Sequence, residues 1–491
     1  MQKIYSCSHA SELEKSVKQQ YAVPDFLMME NAAKAMVQCF LPEASVLIIC
    51  GKGNNGGDGY ALARLLQNKF DVKIVSLEEP SSAEAKVQCE MCKRLGVEIF
   101  EKNKLEEICN SLTANDYIVD CIYGTGFHGQ LSDEIQKIIE ILNNNCAKKI
   151  ACDIPSALEF VADTTIAMGT HKLELYSDKA KAVCGNIAVT DLGISKEIFE
   201  SGLAADAFLI EANDRELPLR KNRAAHKGKF GHTAVICGDK CGAAILTATA
   251  AMNFGCGLTS LIENPDFATT EGHRVPLSQF KISPSLMISD SIPKKTTCIA
   301  IGSGFSNFSK AAADALIKWF EKTESPAVVL DAGILTSPES LDLLKQLNKN
   351  EKARIVLTPH LSELSQLLQI CPDIPEELCS ITTLAENPES KIAAGKLLNK
   401  LFPQTTVIMK SANTFIASGG EAYIVTDGAQ SLAKGGSGDI LAGLTAALLA
   451  QGYTAKSAAI TATEHHALLS QQLGSTSYDL IPEKLLYKIS Q

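Results

Sequence analysis

The feature that most constrains this chain is an alternation met twice: short apolar runs of strand length, separated by longer runs whose apolar residues fall at helical spacing. SVLIIC, DVKIVSL, YIVDCIY and KKIACDI alternate with YALARLLQ and EIQKIIEIL in the first part of the chain. HTAVICG, TCIAIGSG, PAVVLDAG, ARIVLTPH and TTVIMK recur among helical runs in the second. Strands that read as continuous apolar runs are buried on both faces, and an intervening helix sets neighbouring strands parallel. One stretch breaks the pattern. IEANDRELPLRKNRAAHKGKF is highly charged and lacks a sustained apolar period. The alternation predicts two α/β domains, residues 1–212 and 231–491, joined by a charged linker over 213–230. The total of 491 residues is too long for one ordinary core.

Hydrophobic residues at 46% and charged residues at 21% predict that the chain folds throughout. A net charge of -10 argues against nucleic acid as the main ligand, which needs a concentrated basic surface. It leaves room for small anions held by local amides or lysines. The start, MQKIYSCSHASELEKSVKQQ, carries charges where a signal peptide needs an apolar run. ILAGLTAALLA is far short of the roughly 20 residues that span a bilayer, so it reads as a buried helix. Sixteen scattered cysteines, many beside apolar neighbours, suit small buried hydrophobes in a reducing compartment. Cys89 and Cys92 form a lone CxxC within a helical pattern, with no second pair to complete a zinc site. The expectation is a cytoplasmic protein without a membrane or nucleic-acid partner.

In the first domain, SVLIIC runs straight into GKGNNGGDGYALARLL, so residues 51–59 lie between the carboxyl end of a strand and a helix, where α/β sheets bind ligands. Gly51, Gly53 and Gly56 satisfy GxGxxG, with Glu78 after the next strand. Against a dehydrogenase site, Asn54 and Asn55 fill the loop with amides, and Asp58 puts a carboxylate where a pyrophosphate wants donors. A second loop, GTGFHGQ, follows YIVDCIY, and a third, PSALE, follows KKIACDI. Asp120 and Asp153 end those two strands, as helix caps or as site residues. Three such loops along one sheet edge predict a pocket. Ser11 with Glu14 reads as a capping box opening a helix.

GKGNNGGDG, DCIYGTGFHG, CDIPSAL and THKLELYSDKAKAVCGNIAVTDLGI resemble the NAD(P)H-hydrate epimerase domain. The resemblance implies a Rossmann-like three-layer fold. It also implies that Asn54, Asn55, Gly56, Gly57 and Asp58, with Gly124, Thr125, Gly126, Phe127, His128, Gly129 and Gln130, contact a hydrated nicotinamide dinucleotide. Asp153 is expected to touch substrate and act in catalysis, and Asn55, Asp120 and Ser156 to hold potassium. One position departs from the family pattern: Ala157 stands where glycine is usual, which strains the loop if that backbone needs a positive φ.

In the second domain the most specific motif is AKGGSGDILAGLTAALL, with Gly435, Gly436 and Gly438 before Asp439 at the start of an apolar helix. Glycine amides and a helix N-terminus stabilise a transferred phosphoryl group, and the aspartate can accept a proton from the attacking hydroxyl. Around it, HKGKFG, GCGLTSL, IGSGF, TPHLSE, MKSANT and SYDLIPEKL follow in an order that resembles the ribokinase-like family, in its NAD(P)H-hydrate dehydratase branch. The resemblance implies that Ala243, Gly304 and His360 line the substrate site. Lys410, Ser411, Ala412, Asn413 and Thr414, with Gly438, would hold ADP or ATP accompanied by Mg2+, and Asp439 would be the base. GSGF, HLSE and KSANT replace the usual GPGLG, HPGE and KGAGT, so Ser303, Leu361 and Ser362 are departures.

Together the two resemblances imply repair of hydrated NADH and NADPH. The first domain would interconvert the R and S hydrates, and the second would phosphorylate and dehydrate the S form, with ADP favoured over ATP and the chain self-associating as a homo-oligomer. The rival reading is a small-molecule hydroxyl kinase with a non-catalytic N-terminal binding module.

Overall fold

The computed structural model describes residues 1–127, 129–269 and 274–489. The chain divides into two compact units, Lys3–Asp206 and Ala207–Gln491 together with Met1–Gln2. Residues 213–230, expected as a linker, thus fall inside the second unit.

The first unit carries a parallel sheet in the order Glu98–Glu101, Asp71–Ser76, Ser45–Cys50, Tyr117–Cys121, Lys148–Cys152, Thr164–Met168, Asn186–Thr190. Chain order reverses between Ser45–Cys50 and Tyr117–Cys121, the topological switch point where doubly wound sheets open a crevice. One face packs Met28, Met36, Tyr60 and Leu62 from the helices Asp25–Met36 and Asn54–Leu66. The other packs Ile135, Ile139 and Leu142 of Asp133–Asn143, spaced at helical period. This is the three-layer α/β arrangement expected from the alternation. Five strands lie outside the apolar runs: Gln2–Tyr5, Glu98–Glu101, Thr164–Met168, His171–Lys172 and Asn186–Thr190. They are short or flanked by polar residues, and the edge strands Glu98–Glu101 and Asn186–Thr190 contain no buried residue, so neither carries an apolar run.

The helix Cys7–Tyr21 corrects the expected capping box. Its cap is Ser6, whose side chain accepts the His9 amide at 3.3 Å, which leaves Ser11 and Glu14 inside the helix.

The second unit is also α/β. Its sheet runs Met287–Ser289, Leu258–Ile262, His232–Ile236, Cys298–Ile301, Ala327–Leu330, Arg354–Leu357, Thr405–Met409, all parallel. An antiparallel hairpin, Thr414–Ser418 with Glu421–Val425, and then Ala207–Leu209 continue it. Its switch point lies between His232–Ile236 and Cys298–Ile301. ILAGLTAALLA is the buried part of the helix Ser437–Ala450, which lies against Cys241–Asn253 in the core. Truncating a residue such as Leu444 there costs about 2–5 kcal/mol.

Among the described residues the cysteines are free thiols, most of them buried. Cys89 and Cys92 both lie on the helix Ala83–Arg94, where the Cys92 thiol donates to the Tyr60 carbonyl at 3.0 Å. No described helix is long and apolar enough to cross a membrane.

Candidate active sites

The three N-terminal loops converge. A cavity of about 640 Å³ opens at the switch point, lined by Asn54, Asn55 and Asp58, by Gly124, Thr125, Gly126 and Phe127 from the second loop, and by Asp153 at the third. Of the stretch 51–59 expected as a loop, only 51–53 is one, because the helix Asn54–Leu66 begins at Asn54 with Gly53 as its cap. Gly56 and Gly57 do not line it. A Cβ at Gly56 would lie 1.9 Å from the Gly51 carbonyl oxygen, so this glycine lets the helix start close against the strand end. Gly129 and Gln130 are exposed and off the cavity wall, and His128 lies outside the described residues.

Asp120, fully buried, accepts the Ser156 hydroxyl at 2.6 Å, the Ser156 amide at 2.8 Å and the Ile122 amide at 3.1 Å. Burial pushes its carboxyl up to about 6 against those hydrogen bonds. Asn55 is buried with both side-chain polar atoms unpartnered. An orphaned buried amide costs roughly 1–3 kcal/mol and calls for a ligand. Its free carbonyl oxygen and the hard oxygens of Asp120 and Ser156 have the chemistry of an alkali-cation site.

Asp153 sits at φ 71. Its Oδ1 takes the ammonium of the buried Lys172 at 2.5 Å and the Met168 amide at 3.2 Å, while Oδ2 reaches the Thr125 amide at 3.4 Å. The Lys172 ammonium also donates to the Met168 carbonyl. Three further carboxyls line the same cavity, Glu14, Asp25 and Asp58. Burial, with Asp153 and Glu14 nearby, drives Asp58 well above the usual carboxyl range, and burial raises Glu14 as well.

In the second unit the strand ends again carry the chemistry. Lys410 follows Thr405–Met409, and its ammonium lies 3.1 Å from Asp331 at the end of Ala327–Leu330. Asp331 also accepts the Thr358 hydroxyl at 2.7 Å. Asp439, in the first turn of Ser437–Ala450, is half-buried, and a Cβ on its neighbour Gly438 would lie 3.1 Å from the Lys410 ammonium. Burial first, then the charge of Asp331, pushes Asp439 up to about 6, against a hydrogen bond from Ser303 and the charge of Lys410. Ser303 in turn accepts the Thr247 hydroxyl at 3.0 Å.

Gly304 and Ala243 meet across the switch point. Gly304 has φ 80, and a Cβ there would sit 2.3 Å from the Lys240 carbonyl oxygen and 3.3 Å from the Ala243 side chain. His360 caps the helix Leu361–Ile370 in a reciprocal box with Glu363, its exposed ring also 3.0 Å from a Glu363 oxygen. The same residue pairs its backbone with Lys410. Ser411 accepts from the fully buried Lys391 at 2.8 Å, Asn413 is buried, Thr414 opens the hairpin, and Ala412 is exposed.

Family models match both halves: NAD(P)H-hydrate dehydratase over residues 233–491, and YjeF-related protein N-terminus over residues 26–173. The bifunctional NAD(P)H-hydrate repair enzyme Nnr of Helicobacter pylori is 35% identical over 494 residues, covering 98% of each chain. The chain belongs to this family. The NAD(P)H-hydrate repair enzyme Nnr of Moorella thermoacetica is 28% identical, over 91% of this chain and 88% of its own.

In this NAD(P)H-hydrate repair enzyme relative, the motifs mark the strand-end segments but not the side chains that meet them. Lys172 was visible only as part of a longer resemblance, and Glu14 was read as a cap. Asp331 and Glu363 end a strand and open a helix, where an acid usually has a structural role. Only the fold brings them beside Lys410 and Asp439.

Proposed function

We propose that this chain repairs hydrated NADH and NADPH, with the N-terminal unit interconverting the R and S hydrates and the C-terminal unit dehydrating the S form at the expense of ADP. The observation that carries this reading is the placement of Asp439 in the first turn of the helix behind the glycine loop, beside Lys410 and three strand-end loops, in a chain related end to end to hydrate repair enzymes.

Hydroxide leaves carbon 6 of the hydrated ring slowly. In the proposed reaction Asp439 accepts the proton of that hydroxyl while its oxygen attacks the terminal phosphoryl group, phosphate then departs as the ring nitrogen pushes electrons to form a C6=N1 iminium, and loss of a proton from carbon 5 to water returns the electron pair and restores the reduced ring. A base titrating near 6 is largely ionised at neutral pH yet still a competent acceptor. Lys410 and the amides of the glycine loop face the developing phosphoryl charge. Asp331 and Glu363 have hard oxygens suited to Mg2+, which when bound screens the nucleotide's phosphates. Lys410 to Thr414 and Gly438 are the proposed nucleotide wall, and Ala243, Gly304 and His360 the substrate wall.

In the N-terminal cavity, Asn54, Asn55, Asp58 and the Gly124–Phe127 loop are proposed to hold the hydrated dinucleotide, with Asp153 at the reacting ring. Asn55, Asp120 and Ser156 would hold potassium, which when bound offsets the Asp120 charge and props the loops. The test is restoration of the reduced-ring absorbance from hydrated NADH, with ADP or ATP as donor. A stable phosphorylated product in place of NADH would make the chain a hydroxyl kinase instead. A faster reaction with ATP would reverse the choice of donor. Epimerisation should lose substrate affinity when potassium is replaced by a bulky quaternary ammonium ion, and equal activity in the two buffers would remove the ion from the site.

A further inference from the structure

Glu14 has no capping role, since Ser6 caps its helix, and it faces the N-terminal cavity with Ser11. The carboxyls of that cavity outnumber their close cations. Lys172 is committed to Asp153, Lys18 pairs with Asp25, and Lys52 pairs with Glu78 at 3.0 Å. Among the described residues these pairings leave Glu14 and Asp58 as the cavity carboxyls without an ion-pair partner. A half-buried carboxyl with no cation committed to it is favoured in its protonated form.

We propose that Glu14 is the proton donor of the N-terminal reaction, acting on the hydroxyl at carbon 6 of the hydrated ring. This rests on the epimerase reading of the cavity. The Glu14 proton passes to the hydroxyl oxygen, the C6–O bond breaks, and water leaves as the N1 lone pair forms a C6=N1 iminium. Water then adds to the opposite face, a new C6–O bond forms, and the electron pair returns to N1. The surplus proton goes to the Asp153 carboxylate. Exchange with solvent then moves one proton off Asp153 and one onto Glu14, so nothing is consumed. The same two groups run the reverse reaction with their roles exchanged.

The charged groups facing Glu14 agree with a donor. Burial raises its carboxyl above the ordinary range, Asp153 and Asp25 reinforce the rise, and Lys172 and Lys18 oppose it without cancelling it. A donor works while protonated, so epimerisation should fall as pH rises through the Glu14 titration.

The experiment follows epimerisation of purified R hydrate by full-length wild type, Glu14→Gln and Glu14→Asp in H2(18)O, with dehydration of the S hydrate by the other unit as internal reference. Glu14→Gln should lose kcat by on the order of 100-fold with KM within about twofold, and should lose the alkaline fall. Wild type should place 18O at carbon 6 as fast as it epimerises. A Gln variant within about threefold of wild-type kcat, a change confined to KM, or epimerisation without label would each overturn the proposal. Should Glu14→Gln not fold, Glu14→Asp decides: a slower enzyme that keeps the alkaline fall supports the donor, and one without it refutes it. A wild type that does not epimerise at all would instead bring down the reading of the whole cavity.

Discussion

Single residues tune Asp439, the proposed base. Ser303 stands where the family pattern has proline, and its bond to Asp439 works against the burial that lifts that carboxyl. Removing the bond in Ser303→Ala should raise the Asp439 titration, moving the acid limb of dehydration from near 6 towards higher pH. A base is active when ionised, so the rate should fall as pH drops through that value, and a pH profile of kcat/KM reads it directly. Asp439→Asn should cost on the order of 10²- to 10⁴-fold in turnover while nucleotide binding, followed by titration, stays close to wild type. Ala157 adopts φ 55 and ψ 15, the positive φ that its departure from glycine put in question. Glycine pays no Cβ penalty there, so Ala157→Gly should stabilise the N-terminal unit by roughly 0.5–1 kcal/mol, visible as a higher melting temperature.

At the scale of an element, the helix Ala455–Gln472 holds a carboxyl under tension. Glu464 is fully buried beside Asp427, and burial followed by the charge of that carboxyl and a hydrogen bond with it pushes Glu464 to about 8 from an unfolded value of 4.5. The folded chain therefore binds a proton that the unfolded chain has released between those two values. Stability must fall as pH climbs through that window and level off above it. Glu464→Gln removes the charge, so its melting temperature relative to wild type should be higher at pH 8.5 than at pH 5. An equal difference at both would mean that Glu464 is ionised in the fold. The helix Cys7–Tyr21 shows the other side of element-level reading. A Ser with Glu three positions on is a sound cap signal, but Ser6 lies five residues upstream and takes the role, which frees Glu14 for the cavity.

Across the whole molecule, each compact unit contains its own strand-end site. Asn55→Ala or Asp58→Ala should therefore slow epimerisation and leave dehydration of S hydrate at its wild-type rate. With mixed epimers the absorbance trace should show a fast phase followed by a tail set by spontaneous epimerisation. Equal slowing of both phases would show that the two reactions are coupled.

The sequence alone determined the class of fold, the two-fold repetition of the α/β pattern, the glycine loops and Asp439, because apolar period and glycine spacing are local properties of the chain. It also placed Asn54, Asn55, Asp58, Gly124 and Asp153 after strand ends, the first three in what proves to be the opening of a helix, and the cavity brings all five together. Tertiary structure decided what no local period encodes. Lys172 meets Asp153 because the chain beyond Thr164–Met168, the strand paired with Lys148–Cys152, brings its ammonium to the end of that pair, and Lys410 meets Asp331 across a parallel sheet although 79 positions separate them. Burial, which depends on every neighbouring element at once, decided which carboxyls are pushed above their ordinary range. That is why the sequence could name Asp439 but not the Ser303 hydroxyl that tunes it, and could show Glu14 without showing the cavity it faces.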